Sequence, residues 1–315
     1  MTTRLVLAPL HGITGRVFRH ALFSVFPGLD EAVAPFIAAI PDAADARPSH
    51  YKDLVPSDPA VPRLVPQLMG NDPGSLASTM GALAALGYDE VNWNLGCPYP
   101  MVTRKKRGAG LLPHPELVEP CLDAMAAAGR RAGMAVSVKL RLGLKSPDEL
   151  AALVPVLNRY PLASVTVHPR LASQMYGGLP DLDAFAAIAP GLRATLVFSG
   201  DVRQKEDMVA LSSRFPFIKA WMLGRGVLMD PFLPAKIRGL CLPGSPLPAL
   251  EEFHARLYDG YRNSLHGPRH LLDKMKEVWQ YLARAFPDSD GLAKAVSKTK
   301  TPAEYEQVVR RLFRS

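Results

Sequence analysis

The sequence predicts an α/β fold, namely a (β/α)₈ TIM barrel followed by a small C-terminal helical domain. Three observations predict it. Eight short apolar segments of strand length alternate with amphipathic segments of helix length. Most of the eight are rich in Val and Leu on both faces, as expected for parallel strands that are buried on both sides. The alternation ends at a stretch rich in Pro and Gly, beyond which only helical patterns remain.

The predicted strands all lie in the first 223 residues. They span residues 5–8, 32–36, 64–69, 90–94, 135–140, 164–168, 195–199 and 220–223. Asp72 before Pro73 is a helix start signal, and Gly87 and Gly129 are candidate helix ends. Eight strand–helix units in about 240 residues match the size of a TIM barrel. A doubly wound open sheet is the alternative, although it usually has fewer units.

The chain divides at the Pro- and Gly-rich stretch. We expect a barrel domain over residues 1–242, a linker over 243–248 and a helical domain over 249–315. The predicted helices of the last part span residues 251–265, 269–285 and 303–313. From Glu251 onward the chain has 12 Lys and Arg against 9 Asp and Glu, so this part is mildly basic.

The composition limits the class of protein. The net charge is +8 and the isoelectric point is about 9.4, which fits either a polyanionic partner or a solvated basic surface. Three scattered cysteines are too few for a disulfide framework or a zinc site, so we expect a reducing compartment and no metal. We see neither a signal-peptide pattern nor an apolar run of about 20 residues. We therefore expect a cytoplasmic, monomeric protein without a membrane segment.

Polar residues and glycines follow most of the predicted strands. In a TIM barrel, chemistry sits at the C-terminal ends of the strands, so these residues are the site candidates. In chain order they are Pro9, Leu10, His11, Gln67, Asn94, Cys97, Lys139, Arg141, His168, Ser199, Gly200, Asp201, Gly224 and Arg225. Lys139 and Arg141 are two apart on one strand and therefore share a face.

The last two strand ends resemble a phosphate site. Loops after strands seven and eight of a barrel commonly bind phosphate. Gly200 and Gly224 allow backbone N–H groups to approach a phosphate, and Arg225 adds positive charge. We expect a phosphate-bearing cofactor here, with two ordinary glycine turns as the alternative.

Lys139 lies in a strand that is otherwise apolar, where a lysine is costly unless something pairs with it. Gln67 and His168 follow neighbouring strands, so the three side chains form a predicted ring of polar groups. Such a ring suits an aromatic heterocycle that carries carbonyl and nitrogen acceptors, such as the isoalloxazine of a flavin. A lysine that reaches solvent and a histidine with an ordinary structural role are the alternatives.

Cys97 lies between Gly96 and Pro98 in a turn after the fourth strand. A lone cysteine is usually a small buried apolar residue, but this turn argues against a place in the core. The connection that follows runs to about Pro113 and carries four consecutive positive charges, Arg104, Lys105, Lys106 and Arg107. Long loops in compact domains tend to be functional, and these charges suit a phosphate backbone. A solvated loop tip is the alternative.

Five segments together resemble one family. Residues 8–19 resemble its opening pattern A-P-(M/L)-x-G-x-T-D-x-x-F-R, and residues 94–98 with 108–112 resemble N-x-G-C-P…G-x-x-L-L. Residues 138–143 resemble V-K-x-R-x-G, residues 166–170 resemble T-V-H-x-R with Tyr176 downstream, and residues 224–226 resemble G-R-(G/A). The chain is thereby similar to the bacterial tRNA-dihydrouridine synthases, over the whole barrel and in the size of the helical tail.

The resemblance implies an oxidoreductase that reduces the C5–C6 double bond of specific tRNA uridines, with FMN as cofactor and NADPH as reductant. It implies that FMN is held by Pro9, Leu10, His11, Gln67, Lys139, His168, Ser199, Gly200, Asp201, Gly224 and Arg225. It implies Cys97 as the proton donor. The residues implied to meet the RNA are Asn94, Arg141, Tyr176, Arg104, Lys105, Lys106 and Arg107, and the helical tail is implied to bind tRNA.

This sequence departs from the family pattern at three places. Gly15 stands where the opening pattern has Asp, Ser199 stands where Asn is usual, and Pro100-Met101 stands where Lys is frequent. Other readings are a flavin-dependent barrel enzyme that acts on a small pyrimidine, an enoate or another RNA, and an RNA-binding barrel without catalysis. The small-molecule reading leaves the four charges at residues 104–107 unexplained, and the intact Cys97 and Lys139 argue against the last reading.

Overall fold

The computed structural model describes residues 3–42, 47–54 and 58–314, and it contains one parallel sheet. Its strands are β1 Arg4–Leu7, β2 Glu31–Val33, β3 Ile37–Ala38, β4 Leu64–Val65, β5 Gln67–Met69, β6 Glu90–Leu95, β7 Ala135–Gly143, β8 Ser164–Leu171, β9 Thr195–Phe198 and β10 Ala220–Leu223. Their order in the sheet is β3-β5-β6-β7-β8-β9-β10-β1-β2-β4.

This sheet is an eight-stranded barrel in which two strands are interrupted. β2 overlaps the second predicted strand at residues 32 and 33, and β3 begins directly after the predicted end of that strand; β4 and β5 are the two parts of the third. Because β2 pairs with β4 and β3 pairs with β5, the two ends of the strand order belong to neighbouring strands and the barrel closes. Pro66 separates β4 from β5, as expected for a residue that has no backbone N–H to donate. The predicted barrel is confirmed.

Nine helices follow or flank the strands within the described residues of the barrel part. They are α1 Arg16–Val25, α2 Pro73–Ala85, α3 Pro100–Thr103, α4 Pro115–Ala132, α5 Asp148–Leu157, α6 Leu182–Ile188, α7 Lys205–Arg214, α8 Arg225–Met229 and α9 Leu233–Arg238. The predicted start of α2 is confirmed, since the Asp72 carboxylate accepts a hydrogen bond from the N–H of Ser75 at 2.7 Å.

The predicted helix end at Gly129 is wrong. Helix α4 continues to Ala132 and ends at Gly133, whose φ of +65° is the left-handed conformation that favours glycine. Position 129 requires a glycine for a different reason, since a Cβ there would lie 2.5 Å from the carbonyl oxygen of Met134. A close backbone contact, rather than a helix end, therefore explains this glycine.

The interior of the barrel has an apolar half and a polar half. In and beside β1, β2, β4, β9 and β10, an inner cluster consists of Val6, Ala8, Val33, Val65, Val197, Ala220 and Met222. On β7, Val138 and Leu140 belong to the outer core beneath the helices, so Lys139 between them faces the inside. The same alternation on β8 turns His168 and Arg170 inward.

The C-terminal part is helical throughout its described residues. Its helices are α10 Leu247–Ser264, α11 Pro268–Leu282, α12 Ser289–Lys298 and α13 Pro302–Arg314. Helix α12 is absent from the sequence prediction, and α10 begins inside the predicted linker. Phe253 of α10 packs edge-on against Phe18 and Phe26 of the barrel, so this part adheres to α1. Among the described residues, no helix has the length and apolar character needed to cross a membrane.

Candidate active site

A pocket opens at the C-terminal ends of the barrel strands. The predicted site residues that line it are Pro9, Leu10, His11, Asn94, Cys97, Lys139, Arg141, His168, Tyr176, Ser199, Gly200, Asp201, Gly224 and Arg225. Gln67, Arg104, Lys105, Lys106 and Arg107 are not part of its lining. Phe36 and Tyr99 line it without having been predicted. Side chains from seven of the eight predicted strand ends therefore meet in one place.

Cys97 is buried, with 8% of its surface exposed, but it lines the pocket and belongs to neither hydrophobic cluster. Its turn is tightly fixed. The Asn94 Oδ1 accepts hydrogen bonds from the N–H groups of Gly96 at 3.0 Å and Cys97 at 2.9 Å. Gly108 has a φ of +55°, and a Cβ there would lie 2.9 Å from the Cys97 Cβ. Burial raises the pKa of the thiol, and a hydrogen bond with the backbone of Tyr99 and the charges of Arg141 and Lys139 oppose this only in part.

A chain of buried amides orients Asn94. Asn94 Nδ2 donates to Gln67 Oε1 at 2.8 Å, and Gln67 Nε2 donates to Asn92 Oδ1 at 2.7 Å. Asn92 Nδ2 in turn donates to the hydroxyl of Ser137 at 3.0 Å. Because each oxygen and one N–H of each amide is engaged, the direction of the whole chain is set. Gln67 is only 1% exposed and acts on the pocket through Asn94.

Within the part of the chain that the structure describes, no carboxylate pairs with Lys139. The charged groups that act on it among the described residues are Arg141 and Cys97, and neither neutralises a lysine at neutral pH. Burial, reinforced by Arg141, lowers the pKa of Lys139 to about 7. Arg141 is held more firmly, since its Nε donates to the carbonyl of Gly96 and its Nη1 to that of Leu171, both at 3.0 Å. A lysine without a counter-charge beside a buried arginine favours a ligand that carries negative charge.

Arg170 binds two residues of the pocket lining, His168 and Asp201, and the sequence prediction assigned it no role. Its side chain is 1% exposed and uses all five of its N–H groups. Nη1 and Nη2 donate to the two oxygens of Asp201 at 3.1 and 2.6 Å, and Nη1 also donates to His168 Nε2 at 3.0 Å. Nε and Nη2 donate to the carbonyls of Gly177 and Gly178. The buried guanidinium group of Arg170 thus holds His168, Asp201 and the loop at Gly177 in place.

These contacts determine the state of His168 and Asp201. Since arginine only donates, Nε2 of His168 must accept and its ring proton lies on Nδ1. Burial, and then the charges of Lys139, Arg141, Arg170 and Arg225, lower the pKa of His168 well below its ordinary value, so the ring is neutral. Burial alone would raise the pKa of Asp201, but Arg170 and Arg225 outweigh burial and lower it.

Tyr176 lies at the mouth of the pocket between two guanidinium groups. Arg141 is 5.3 Å and Arg225 is 5.6 Å from the centre of its ring, which are cation–π distances. Met175 precedes it with a φ of +52°, a conformation that costs a non-glycine residue about 1–3 kcal/mol. The loop accepts this strain because Arg170 and Arg225 bind its carbonyl groups.

The segment after β1 forms another part of the pocket wall. His11 stacks on Phe36 with ring centres 4.7 Å apart and planes within 11°. The N–H of Leu10 donates to the Thr14 hydroxyl at 2.8 Å, which fixes the backbone next to Pro9. These contacts give the pocket one flat aromatic side.

The two glycine turns differ in how closely they are packed. A Cβ on Gly200 would lie 2.4 Å from the ring of Phe198, so a side chain does not fit there. Beside Gly224 the nearest neighbour, the Ala8 Cβ, would be 3.5 Å away. Ser199 and Gly200 therefore bring backbone to the pocket surface on one side, and Gly224 leaves room beside Arg225.

The four predicted positive charges lie outside the pocket in the same connection as Cys97. Arg104, Lys105 and Lys106 are exposed, and within the described residues none of the four forms an ion pair. Arg107 donates to the side chain of Asn71 at 3.2 Å. Lys106 adopts a φ of +49° in the turn between helix α3 and the 3₁₀ turn Gly108–Leu111.

The departure at Gly15 is compensated from elsewhere in the chain. The carboxylate of Asp53 approaches to 3.4 Å from the place that a Cβ of Gly15 would occupy. It also accepts a hydrogen bond from the N–H of Arg16 at 3.3 Å, at the start of α1. The acid that the opening pattern places at position 15 is thus supplied by residue 53.

Comparison with curated proteins identifies full-length relatives. The tRNA-dihydrouridine(16) synthase of Cupriavidus necator is 30% identical over 98% of this chain and 96% of its own. That of Ralstonia nicotianae is 29% identical over 98% of this chain and 95% of its own. The tRNA-dihydrouridine synthase B of Yersinia pestis is 27% identical over 84% and 81%.

Solved structures show the same barrel at low sequence identity. The old yellow enzyme homologue of Zymomonas mobilis has a TM-score of 0.55 at 12% identity, over 75% of this chain and 88% of its own. Morphinone reductase has a TM-score of 0.53 at 13% identity, over 79% and 88%. At this identity the likeness concerns the fold alone.

The family profile described as "Dihydrouridine synthase (Dus)" matches residues 6–315. Together with the relatives that align over nearly the whole length, this match shows that the chain belongs to the dihydrouridine synthase family of oxidoreductases.

Proposed function

We propose that this enzyme reduces the C5–C6 double bond of a uridine in tRNA, with FMN bound in the pocket and NADPH as the reductant. The observation that carries the proposal is the arrangement of the pocket, in which a buried thiol lies beside Lys139 and Arg141, two cations that form no ion pair with a carboxylate among the described residues. The names of the relatives, which are tRNA-dihydrouridine synthases, support the substrate.

The residues present fit FMN. Lys139, Arg141 and Arg225 bring positive charge to the pocket, whereas Asp201 is already engaged by Arg170 and Arg225. That excess suits a ligand with a phosphate and a row of carbonyl acceptors. We propose that the turns at Gly200 and Gly224 hold the phosphate with Arg225, that Lys139 and His168 meet the ring, and that Pro9, Leu10 and His11 with Ser199 line its edges. Gln67 contributes through its bond to Asn94.

Cys97 supplies the proton. FMN, when bound and reduced, would supply a hydride to C6 of the uracil, and C5 would then need a proton. Because burial raises the pKa of Cys97, the thiol is protonated at neutral pH and can act as the acid. The S–H bond breaks as the C5–H bond forms. Arg141 and Lys139 stabilise the thiolate that remains until a water proton restores it.

The RNA is held by groups on two sides of Cys97. Asn94 has one side-chain N–H beyond its bond to Gln67, and we assign it to the uracil edge. Arg141 and Tyr176 would meet the nucleotide at the pocket mouth, while Arg104, Lys105, Lys106 and Arg107 would meet phosphates. We assign residues 249–315 to the remainder of the tRNA. The target uridine must leave its stack to reach the pocket, at a cost of about a few kcal/mol.

The test follows the visible spectrum of the purified enzyme without oxygen. We expect NADPH to bleach the flavin absorbance and an unmodified tRNA transcript to restore it. The Cys97→Ala variant should bleach normally but lose reoxidation by tRNA by at least about 100-fold, because a general acid contributes roughly 10²–10⁴-fold. Cys241→Ala, at an exposed cysteine, is the matched control and should behave as wild type. A flavin that ignores tRNA would refute the proposed substrate.

We further propose uridine 16 as the target. The two relatives that align over 98% of the chain are named for position 16, whereas the B-type relative aligns over 84%. A transcript in which uridine 16 is replaced by cytidine should fail to reoxidise the reduced enzyme. Transcripts with single replacements at other uridines should react normally, and full activity on the position-16 variant would move the target elsewhere.

A further inference from the structure

Two segments at the mouth of the pocket expose apolar side chains. Among the described residues, nine large apolar side chains are exposed, and four of them lie on these segments. They are Tyr99, Met101, Tyr176 and Leu179. Met101 and Leu179 are the two most exposed of the nine, at 77% and 83%. Tyr99 and Tyr176 line the pocket itself, and Met101 and Leu179 follow them by two and three residues on the same segments.

This exposure does not come from loose loops. The carbonyls of Gly177 and Gly178 are bound by the buried Arg170, and Gln174 Nε2 donates to the carbonyl of Leu179. On the other segment, Pro100–Thr103 forms helix α3, and Gly108 packs against Cys97. Ordered backbone that holds apolar side chains in water is typical of a surface that binds a partner.

The charge beside the apolar surface limits the kind of partner. Arg104, Lys105 and Lys106 follow Met101 within five residues and are exposed. Arg141 and Arg225 lie on both sides of Tyr176. A partner that offers flat apolar faces and regularly spaced anions satisfies both features, and unpaired RNA offers nucleobases and phosphates in this combination.

We infer that Met101 and Leu179 contact the nucleobases on either side of the target uridine and compensate for the stacking lost when that base enters the pocket. This inference rests on the proposed function, because it needs an RNA substrate whose base leaves its stack. The nearby Arg104 and Lys105 bind the phosphates of the same segment. Affinity for the RNA thus has an apolar part that salt does not screen and an ionic part that salt weakens.

The experiment separates these two parts. The Kd for unmodified tRNA transcript is measured at several salt concentrations for the wild type, for Met101→Ala/Leu179→Ala and for Arg104→Ala/Lys105→Ala. We expect the apolar double variant to bind about 10-fold more weakly at every salt concentration, with an unchanged slope of log Kd against log salt. The basic double variant should reduce that slope by about 2, since each phosphate contact contributes about 0.9. Val209→Ala, at an exposed apolar side chain of helix α7, is the matched control and should bind as wild type.

The rate of flavin bleaching by NADPH shows whether Met101→Ala/Leu179→Ala and Val209→Ala retain an intact pocket, and in both it should equal that of the wild type. Unchanged tRNA affinity in the apolar double variant would overturn the inference, as would a loss that vanishes at high salt. The proposed function is tested separately by the wild type, whose flavin must be reoxidised by tRNA. If the wild type reacts and the apolar variant reacts equally well, only the contact of Met101 and Leu179 with the bases is refuted.

Discussion

Two histidines in this molecule are both buried and neutral, but only one of them lines the pocket. His168 on β8 and His254 on α10 are both 9% exposed. Burial lowers the pKa of each, to about 4 for His254 and well below the ordinary value for His168. Each is neutral, and each has a hydrogen bond to one buried partner, Arg170 for His168 and Tyr305 for His254.

The groups around the two rings differ. The Tyr305 oxygen is 2.7 Å from Trp279 Nε1 and 2.6 Å from His254 Nε2. Because indole only donates, the tyrosine accepts from Trp279 and donates to His254, which completes a neutral cluster. Around His168, burial is joined by the charges of four cations, and one of them, Lys139, pairs with no carboxylate of the described residues. A buried histidine by itself therefore marks no site, whereas uncompensated charge that faces a pocket does.

The largest expected effect comes from removing the partner of His168. Arg170→Met leaves Asp201, two loop carbonyls and His168 without their donor. We expect the free energy of unfolding to fall by about 3 kcal/mol, because a buried charge pair is broken. Turnover with tRNA should fall roughly 10–100-fold, as for other residues that orient a site from behind. Chemical denaturation and flavin reoxidation measure the two effects.

The Arg170→Lys variant separates the effect of the hydrogen bonds that Arg170 makes from the effect of its positive charge. It keeps a cation beside Asp201 but cannot span all five acceptors, so stability should recover more than turnover does. In Arg170→Met the pKa of His168 should rise, because one cation is removed and Nε2 becomes free to take up a proton; nuclear magnetic resonance would follow it. Normal turnover with an unchanged His168 titration would mean that Arg170 does not position the site.

The second prediction removes the partner of His254. Tyr305→Phe leaves His254 Nε2 and Trp279 Nε1 unpaired inside the helical part, so we expect about 2 kcal/mol lower stability. Flavin bleaching and reoxidation should remain normal below the unfolding temperature. Tyr258→Phe is the matched control, since its hydroxyl bonds the exposed Glu306 and its loss should change stability by less than about 0.5 kcal/mol. A loss of turnover in Tyr305→Phe would contradict a purely structural role.

The sequence was enough to predict what depends on local pattern. Alternating strand and helix segments predicted the barrel, and a barrel brings its strand ends together, so Cys97, Lys139 and Arg141 could be placed in one site. Helix α12 was missed; it has ten residues, of which Leu292 and Val296 are buried. Pro66 was visible, but where it would interrupt the third strand depends on pairing with the neighbouring strands.

What could not be predicted depends on contacts between distant segments. Arg170 is two residues from His168 and so shares its face, but its importance comes from Asp201 and from a loop whose carbonyls it binds. Asp53 replaces the acid missing at Gly15 from 38 positions away. The stacking of Phe36 on His11 likewise joins the ends of two strands. A motif identifies the residues of one segment, whereas these contacts arise only when segments pack together.

The smallest expected effect is on FMN binding and concerns Lys139, a charged neighbour that His168 has and His254 does not. With a pKa of about 7, Lys139 is largely neutral at pH 8 in the enzyme without FMN. A bound ligand that supplies negative charge raises this pKa, so FMN binding should take up a proton and FMN affinity should weaken as the pH rises above 7. The change should stay below about 10-fold per pH unit, the limit for a single proton.

Calorimetry at pH 8 in two buffers of different ionisation enthalpy measures the uptake. Lys139→Met should abolish the proton uptake, while Tyr305→Phe should leave it intact. Equal uptake in Lys139→Met would assign the proton to another group and remove the uncompensated lysine as the feature that sets His168 apart from His254.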